Sequence, residues 1–550
     1  MENSMDLLLN LSLLLPLVSA GVLWFAPLSR QQTRGFALGA TLVTLLIVII
    51  VTAGYLAASP ADDVYAASDW SWLGGVGAGG MDIRYSVGLD GLGLWLYALS
   101  ALLMVTAVLV SWDTVQQRAG LFYGLLLTLE TGCLGVFCAR DIILFYVFFE
   151  FTLIPLFFLI GIWGSEERQR AATKFFLYTL AGSVLTFLGL ISIVLWHWQL
   201  SGELTFSIPK LTAAAHVPTE YQWIIFLALL AGFAIKVPLF PFHTWLPLAH
   251  VQAPAAGSIL LAGVMLKIGT YGFLRFNLPM LPEASASFMP VLLCLSVAGI
   301  IYGALLALVQ WDMKRLIAYS SVSHLGFCML GMFSLNRLGV QGSALQMINH
   351  GISTGALFAI VGMLYERYHT REIRHLAGLA AKTPWLAFFM LLFTFSSIGL
   401  PGLNGFAGQF LVLIGTFQRS MGSPLIVVAV LAVLGVVLGA WYMLYLVQRL
   451  FFGRLQEPAQ EENPGASHEV ADLSWREFSA LAPLAVFVFW IGLQPSFFLR
   501  PMKPTLNALV APAAEARQAA ENRTAGTVQL SADQFTGKTS GTFQRTSEGR

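Results

Sequence analysis

Charged residues are scarce in this chain. Of its 550 residues only 11% are Asp, Glu, Lys or Arg, while 57% are hydrophobic, and the mean hydropathy is +0.74. A soluble domain carries about 25% charged residues. A water-soluble fold is therefore excluded for most of the chain, and the composition indicates a membrane protein.

Cysteine is rare, and the motifs of nucleotide and redox chemistry are missing. The four cysteines, Cys133, Cys138, Cys294 and Cys328, fall inside apolar segments without CxxC spacing, which favours small core residues over a disulfide or metal set. The chain has no Walker phosphate loop, no Rossmann fingerprint and no cysteine cluster for an iron–sulfur centre. We therefore expect no metal and no redox cofactor in this chain, whose energy must come from elsewhere.

Long apolar runs dominate the sequence. A spanning helix needs about 20 mainly apolar residues, and fourteen such segments are present, which predicts an all-α polytopic protein. The first carries Glu2 and Asp6 at its start and is long enough to span, so it is interpreted as a helix and not as a cleaved signal peptide. The segments lie near 3–28, 35–57, 88–111, 119–138, 141–163, 173–199, 221–247, 255–278, 289–310, 316–335, 341–365, 384–417, 423–451 and 476–498.

The loops differ in their content of lysine and arginine. One side of the predicted membrane carries fifteen of these residues and the other side six, so the richer side is predicted to be cytoplasmic. Fourteen spans then place both termini on the other side. The last forty or so residues are polar and low in aromatics, which predicts a disordered or loosely attached tail.

Two lysines lie inside the predicted spans. Lys236 and Lys267 remain once the cations of the loops and the tail are set aside. A charge at the bilayer centre costs about 2.5–3.5 kcal/mol on insertion scales, and the mid-span position of both residues disfavours snorkelling. These lysines therefore imply either partners or a water-filled path.

Other titratable residues lie in neighbouring spans. Glu150 is flanked by phenylalanines in "DIILFYVFFEFTLIPLFF", and Glu130 lies in "LLLTLETGCLG". His243, His324 and His350 add groups that titrate near neutral pH. Glu130 and each histidine could belong to a proton relay or could hydrogen-bond a neighbouring helix, and the sequence leaves this open.

Two spans are interrupted by proline and glycine. Lys236 precedes Pro238 in "AGFAIKVPLFPFHTWLP", and Pro401 lies in "SSIGLPGLNGFAGQFLVL". Irregular backbone at membrane depth is tolerated only inside protein or around a water-filled cavity. Carbonyls freed by the first break should favour the lysine cation; the alternative is a kink that only shapes packing.

The interrupted spans are the seventh and the twelfth, which predicts two inverted five-helix repeats formed by spans four to eight and nine to thirteen. The predicted units are three N-terminal spans (1–111), a first repeat (119–278), a second repeat (289–451), a linker with the last span (452–500) and a polar tail (501–550).

The longer motifs resemble one protein family. "KVPLFPFHTWLP", "AHVQAPAAGSILLAGVMLKIGTYGFLRF", "RQRAATKFFLYTLAGS" and "DMKRLIAYSSVSHLGF" are similar to segments of the antiporter-like membrane subunits of proton-pumping respiratory complex I, of the subunit M or mitochondrial subunit-4 type. The resemblance covers about residues 80–455. It implies a proton-translocating subunit of an NADH- or ferredoxin-quinone oxidoreductase, located in the bacterial inner (plasma) membrane beside other membrane-arm subunits and neighbouring antiporter-like subunits. No nucleic-acid partner is expected; FMN, iron–sulfur clusters and quinone would belong to partner subunits.

The resemblance also implies which residues carry protons. They are Glu150, Lys236, Lys267, His324 and His350, with Glu150 setting the protonation of Lys236. His243, one half-helix beyond Lys236, is a further candidate from the residues themselves. Position 409 departs from the pattern, because Gln409 occupies the place of a glutamate proposed as the last station before exit. Water and His350 could serve instead, another carboxylate could, or the chain could be a divergent paralogue. The alternatives for the whole chain are a subunit of a multi-subunit Na⁺/H⁺ antiporter, of an energy-converting hydrogenase, or a scaffold with vestigial titratable residues.

Overall fold

Apolar helices account for most of the protein. The computed structural model describes residues 2–58, 64–74, 82–214, 217–458 and 470–536. Within these ranges thirteen helical segments are long and apolar enough to cross a membrane. The interrupted segment at 384–420, which comprises two shorter helices, completes the fourteen predicted spans. The predicted all-α polytopic class is confirmed.

The N-terminal part contains three spans and a hairpin. They are α1 (Glu2–Phe25), α2 (Arg30–Ala58), β1 (Tyr65–Gly74), β2 (Asp82–Leu89) and α3 (Gly91–Val110). The antiparallel hairpin was not predicted from the sequence. Trp70 pairs with Tyr85 across it, with ring centroids 5.3 Å apart, and Asn10 of α1 hydrogen-bonds Ser68 at 2.8 Å.

The first predicted repeat contains more interruptions than expected. Its helices are α4 (Ala119–Cys138), α5 (Ile142–Phe151), α6 (Leu153–Trp163), α7 (Arg168–Ser201), α8 (Ile208–Ala214), α9 (Thr219–Lys236), α10 (Trp245–Gln252), α11 (Ala255–Leu260), α12 (Leu266–Gly272) and α13 (Leu278–Met280). The π-helical turns Leu261–Met265 and Phe273–Asn277 join α11, α12 and α13 into one continuous span.

The second predicted repeat is followed by two further helices. Its helices are α14 (Pro282–Leu308), α15 (Met313–Phe333), α16 (Arg337–Tyr368), α17 (Pro384–Ile398), α18 (Asn404–Ser420) and α19 (Ile426–Phe451), with short 3₁₀ turns at Ile373–His375 and Leu379–Ala381. Then come α20 (Trp475–Leu493) and α21 (Pro495–Thr536). The breaks between α9 and α10 and between α17 and α18 fall in the seventh and twelfth spans, as the repeat prediction requires.

Side-chain caps begin several of these helices where the chain turns back into the membrane. Asp90 accepts from Gly93 N at 2.8 Å at the start of α3, and Asn336 accepts from Gly339 N at 2.8 Å at the start of α16. Ser474 forms a reciprocal capping box with Glu477 in α20. These oxygens satisfy amide groups that no helical carbonyl reaches.

Five spans form the centre of the bundle. They are Gly91–Val110, Ala119–Cys138, Ala255–Met280, Met313–Phe333 and Arg337–Tyr368, and at least 89% of the most apolar window of each is buried. In the other eight of these thirteen spans, 39–50% of that window is buried, and the apolar side chains on their outer faces suit lipid. A helix that is apolar on all sides belongs in such a core or in lipid.

The ion pairs below join segments that the charge pattern assigns to the same side of the membrane; the sidedness itself stays a prediction. At the end with more cations, Arg476 contacts Asp113 at 2.5 Å and Lys382 contacts Glu457 at 2.7 Å. At the opposite end, Arg275 contacts Asp90 at 2.5 Å. We call these the cytoplasmic end and the outer end, following the predicted orientation.

The prediction of a disordered or loosely attached tail was wrong for the described residues. Helix α21 continues to Thr536 and crosses the outer end. Thr505 Oγ1 accepts from Gly91 N at 3.2 Å, Phe498 O accepts from the Trp95 indole at 2.9 Å, and Arg419 pairs with Glu521 at 2.6 Å. Composition could not show this packing, because α21 buries only one narrow face. Residues 537–550 lie outside the described ranges.

Three of the four cysteines lie in the core as predicted, and one does not. Cys133, Cys138 and Cys328 are buried, whereas Cys294 is exposed on α14. All four are free thiols. Cys294 lies within an apolar segment whose outer face is not covered by the chain.

The ion pair between Arg367 and Glu477 should contribute strongly to the attachment of α20 to α16. Two bonds of 2.7 and 2.8 Å join the side chains, which are 13% and 4% exposed. Removing one partner leaves the other charge buried and costs about 3–5 kcal/mol, whereas replacing both costs far less. We expect Arg367→Met to lower the thermal denaturation midpoint of the purified protein, and Arg367→Met with Glu477→Gln to restore most of the loss. Equal midpoints for the single variant and the wild type would contradict this.

Candidate functional site

Glu150 lies beside a break in the fifth span that the sequence analysis did not predict. The span divides at Thr152 into α5 and α6. Pro155 explains the position of the break, because it has no amide hydrogen for Phe151 O and its ring clashes with that carbonyl. The Oε1 atom of Glu150 is buried and has no hydrogen-bond partner. The acid therefore lies in an irregular, poorly solvated part of the helix.

Lys236 is the last residue of α9 and is 3% exposed. Its ammonium lies 4.7 Å from the centroid of the Phe149 ring, a favourable cation–π arrangement. Phe149 precedes Glu150 in α5, so the acid and the lysine lie in adjoining parts of the same region. They do not form an ion pair, and Lys236 has no hydrogen-bond partner in the described part of the chain.

The predicted role of the freed carbonyls is wrong in one respect. The indole nitrogen of Trp245, the first residue of α10, donates to Ile235 O at 2.9 Å. This carbonyl, at the end of the first half-helix, is thus satisfied by the second half-helix and not by the lysine. The sequence could not show this, because the loop between Val237 and Thr244 has to fold before the indole can reach back.

Lys267 is fully buried in α12 directly after a π-helical turn. Its ammonium donates to Ala262 O inside that turn and lies 2.7 Å from His350 Nδ1 on α16. A π-helical turn shifts the register of the carbonyls relative to an α-helix and is frequent at functional sites. Here the turn supplies an acceptor that holds the lysine toward α16.

The two lysine-bearing helices pack closely together. Gly269 of α12 lies against α9, where a Cβ would approach Val237 Cγ2 to 2.7 Å and Phe233 O to 2.9 Å. Only a glycine permits this approach. The helix of Lys236 is therefore a direct neighbour of the helix of Lys267.

His350, His324 and Gln409 continue from Lys267 into the second repeat. The ring centroids of His350 and His324 are 5.7 Å apart. His324 Nε2 lies 2.9 Å from Ser397 Oγ, and His324 Nδ1 lies 3.5 Å from Gln409 Nε2. All three side chains are at least 95% buried. Lys267, His350, His324 and Gln409 thus form a polar row, which we call the central row.

A small polar cavity of about 10 Å³ lies between the two histidines. Its lining includes Gln346, Asn349 and Ser396. The atoms His350 Nε2, Gln346 Oε1 and Asn349 Oδ1 have no hydrogen-bond partner among the described residues. A polar cavity of this size can hold about one water molecule, which could bridge the histidines.

The break in the twelfth span determines which groups Gln409 contacts. Gly399 ends α17 with φ +79°, and Gly402 has φ +90°, a region that favours glycine. A Cβ on Gly399 would lie 2.3 Å from Gln409 Oε1. Gln409 Nε2 donates to Ser397 O at 3.2 Å, so the amide satisfies a carbonyl freed by the break.

His243 lies apart from the central row. Its ring packs against Phe240 at 5.9 Å and Tyr302 at 5.3 Å between centroids, and its Nδ1 atom has no partner. The structure does not connect it to Lys236 by a hydrogen bond. Its proton-carrying role stays a prediction, as do the roles of the other selected residues.

Two buried basic residues near the central row were not selected in the sequence analysis. His250 on α10 is fully buried, stacks on Phe358 at 4.4 Å, and has no partner for either ring nitrogen. Lys314 in the first turn of α15 is 6% exposed and donates to Ala253 O at 2.7 Å. Lys314 is one of the fifteen cations that the sequence analysis assigned to loops of the richer side. Its position next to the apolar run of α15 could have indicated that it is buried. Both residues lie on the cytoplasmic side of Lys267.

Arg275 was also wrongly counted as a loop cation. It lies in the second π-helical turn of the eighth span, paired with Asp90. Glu130 lies in the core of α4, with both carboxylate oxygens unpartnered. In the described ranges no group of three or more His, Cys, Asp or Glu side chains could hold a metal ion.

Comparisons with known proteins agree with this architecture. Residues 139–438 match the family model for the transmembrane region of NADH:quinone oxidoreductase/Mrp antiporter proteins. NADH-quinone oxidoreductase subunit M of Rhodobacter capsulatus is 39% identical over 525 residues, 92% of this chain and 97% of the relative. A chain of respiratory complex I from Thermus thermophilus, solved with bound NADH, is 34% identical with a TM-score of 0.80, covering 92% of this chain and 99% of that one.

A chain of the Mrp complex from Dietzia sp. DQ12-45-1b has the same fold at lower identity. It is 20% identical with a TM-score of 0.77, covering 94% of this chain and 99% of that chain. The chain therefore belongs to the NADH:quinone oxidoreductase/Mrp antiporter transmembrane family. It is an integral, multi-pass membrane protein of the antiporter-like type, as predicted, and such chains are subunits of larger membrane assemblies.

The contact between Gly399 and Gln409 can be tested with a matched pair of variants. Alanine at Gly399 or Gly402 incurs a similar backbone strain of about 1–2 kcal/mol, but only Gly399→Ala would clash with Gln409, since nothing lies within 4 Å of a Cβ on Gly402. We expect a cryo-EM map of Gly399→Ala to show the Gln409 amide displaced from Ser397 O, and Gly402→Ala to leave it in place. An unmoved amide in both variants would contradict the proposed fit.

Proposed function

We propose that this chain is a proton-translocating membrane-arm subunit of a respiratory NADH- or ferredoxin-quinone oxidoreductase in the bacterial inner membrane. The observation that carries the proposal is the contact between Lys267 and His350, since it joins the eighth span to the second repeat through groups that can exchange a proton. Electron transfer, with FMN, iron–sulfur clusters and quinone, is assigned to partner subunits. Other antiporter-like subunits are proposed as its neighbours in the membrane arm.

The first step in this proposal takes place at Glu150 and Lys236. An ionised Glu150 favours the protonated form of the nearby lysine, and movement of the acid away from it favours proton release. The irregular backbone beside each residue supports such a movement, because the half-helices on either side of a break can shift separately. The Phe149 ring lies against the ammonium and leaves that face of it dry.

The second step takes the proton along the central row. Lys267 donates from its ammonium to His350 Nδ1, which leaves a neutral amine and a protonated imidazole. His350 then releases a proton from Nε2, the atom that borders the small cavity, toward His324. The ring separation of 5.7 Å requires a bridging molecule, for which the cavity provides room.

At the end of the row, Gln409 orients His324 and does not store a charge. Its amide nitrogen donates to Ser397 O, and it lies opposite His324 Nδ1. A carboxylate in this position would place an oxygen against the Ser397 carbonyl. Protons are proposed to leave the row through His324 and water, with the amide as a fixed part of the surroundings.

A Na⁺/H⁺ antiporter subunit remains the second candidate. The shared fold of the Dietzia Mrp chain supports this alternative, but its identity of 20% is well below the values of 34 and 39% for the two NADH-quinone oxidoreductase chains. Identification of the proteins that co-purify with this chain would distinguish the two candidates. Quinone-reductase subunits support the first proposal, and only antiporter subunits would contradict it.

Lys236→Ala and Glu150→Ala should each greatly reduce proton pumping while the complex still assembles, because each removes one partner of the first step. A loss of at least about tenfold is expected for a proton-transfer group. The measurement is the proton-to-electron ratio in vesicles that contain the complex.

The matched controls are Lys210→Ala and Glu203→Ala. These residues form an exposed ion pair at 2.7 Å, with side chains 61% and 56% exposed, and such surface pairs contribute little. Normal pumping is expected in both controls. Normal stoichiometry in either Lys236→Ala or Glu150→Ala would reject the proposed first step.

Gln409→Glu should leave the proton-to-electron ratio unchanged, since the proposed route does not need a charge at this position. Turnover should fall by no more than about twofold, because the new side chain meets the Ser397 carbonyl. A higher ratio in this variant would show that a carboxylate station was missing, and would overturn the assignment of Gln409.

A further inference from the structure

A cavity of about 280 Å³ lies at the outer end of the protein, away from the central row. Six parts of the chain meet around it: the start of the hairpin, β2, the α4–α5 connection, α8, the eighth span and α21. Its volume would accommodate about nine water molecules at their liquid density. The polar side chains around it include Asp90, Arg140 and Arg275.

The charges of this cavity do not balance. Asp90 Oδ2 pairs with Arg275 at 2.5 Å, and Asp90 Oδ1 accepts from Gly93 N at 2.8 Å as a helix cap. Arg275 Nε also donates to Tyr271 Oη at 3.1 Å. Both oxygens of the acid are thus already engaged, and Arg275 is already neutralised.

Arg140 is the cation that remains. Arg140 lines the cavity, and its guanidinium has no hydrogen bond or ion pair to any residue in the described part of the chain. Asp90 and Asp69 are the acids that act on it electrostatically, and Asp69 shares Arg84 with Asp82, at 2.8 and 3.3 Å. A partly buried guanidinium with five donors and no acceptor is costly unless a ligand supplies the acceptors.

The backbone holds Arg140 firmly in this position. Its amide donates to Ser86 O at 2.9 Å, and its carbonyl accepts from Ile208 N at 2.8 Å. Its aliphatic part lies against Gly88, where a Cβ would approach Arg140 Cδ to 3.0 Å. The backbone of Arg140 and the start of its side chain are therefore held at the cavity without a side-chain partner.

The other side chains around the cavity indicate the chemistry of its ligand. Val64, Phe137, Ile208 and Leu509 provide apolar surface, while Thr212 adds a hydroxyl. The cavity lies where the fourth span ends and the fifth begins, and the headgroups of a bilayer lie at the ends of its spanning helices. Guanidinium groups bind phosphate oxygens with paired hydrogen bonds.

We propose that Arg140 binds a phosphate group in this cavity, from a phospholipid headgroup or from free phosphate. The phosphate oxygens accept from the guanidinium and balance its charge, and the apolar side chains contact the glycerol or the start of an acyl chain. The site joins the hairpin, α8 and α21 across the outer end. It is independent of the proton route proposed above.

A cysteine at Ala213 can report occupancy of the cavity. Ala213 lines the cavity and is exposed, so Ala213→Cys in the assembled, delipidated complex should react with N-ethylmaleimide. The labelled peptide, identified by mass spectrometry, distinguishes this thiol from all others. Short-chain phosphatidylglycerol, a phosphate-free glycolipid and inorganic phosphate are the three probes.

Phosphatidylglycerol should slow the labelling of Ala213→Cys, and the glycolipid should not. Adding Arg140→Gln should raise the half-protecting concentration at least about tenfold, the usual consequence of losing charged hydrogen bonds. Arg337→Gln, which removes an exposed cation at the same outer end, should not change it. If inorganic phosphate protects without lipid, the ligand is free phosphate; if only phosphatidylglycerol protects, it is a headgroup.

The proposal is overturned by equal protection with the glycolipid, by no protection with either phosphate probe, or by an unchanged half-protecting concentration in Arg140→Gln. Should Arg140→Gln fail to assemble, Arg140→Lys provides the same test, because lysine keeps the charge but lacks the paired donors of the guanidinium. It must raise the half-protecting concentration in the same direction. Cryo-EM maps with and without phosphatidylglycerol would locate the bound group beside Arg140.

Discussion

The ammonium of Lys267 is fully buried in the centre of the bundle, and two acceptors stabilise its charge there. The cost of an unpaired charge in this environment is several kcal/mol, so the acceptors must already be in place. One acceptor comes from a π-helical turn of the same span, and the other is His350 of α16. The tight packing of the eighth span against α9 and α16 follows from the need to hold both.

The irregular backbone is concentrated where the buried charges lie. Glu150 lies next to the break at Thr152, and Lys236 is the last residue of α9. Lys267 follows a π-helical turn, and Gln409 lies in α18, the helix that follows the break at Gly399. Each irregularity leaves polar backbone groups that regular helix would have satisfied. Side chains from other segments, such as Trp245 and Gln409, satisfy some of them. The irregular backbone and the buried polar side chains therefore occur at the same places along the centre of the protein.

Charged side chains are paired differently at the two ends of the molecule. At the cytoplasmic end, cations pair with acids or carbonyls of other segments, as Arg367 of α16 does with Glu477 of α20. At the outer end, the pairing of Asp90 with Arg275 leaves Arg140 without an acceptor. That imbalance suits a binding site, whereas the buried pairs at the other end suit a fixed attachment between helices.

The sequence alone determined the membrane class, the spans, the two broken spans and the family resemblance, because apolar length and proline positions act locally. It also singled out Lys236 and Lys267, since a cation in an apolar run is visible without a structure. Only the tertiary structure decided that Trp245 and not Lys236 satisfies Ile235 O, and that Lys267 meets His350. The π-helical turns, the break at Thr152, the packed α21 and the unpaired Arg140 also required it. These features depend on contacts between segments far apart in the chain, which no local pattern of residues records.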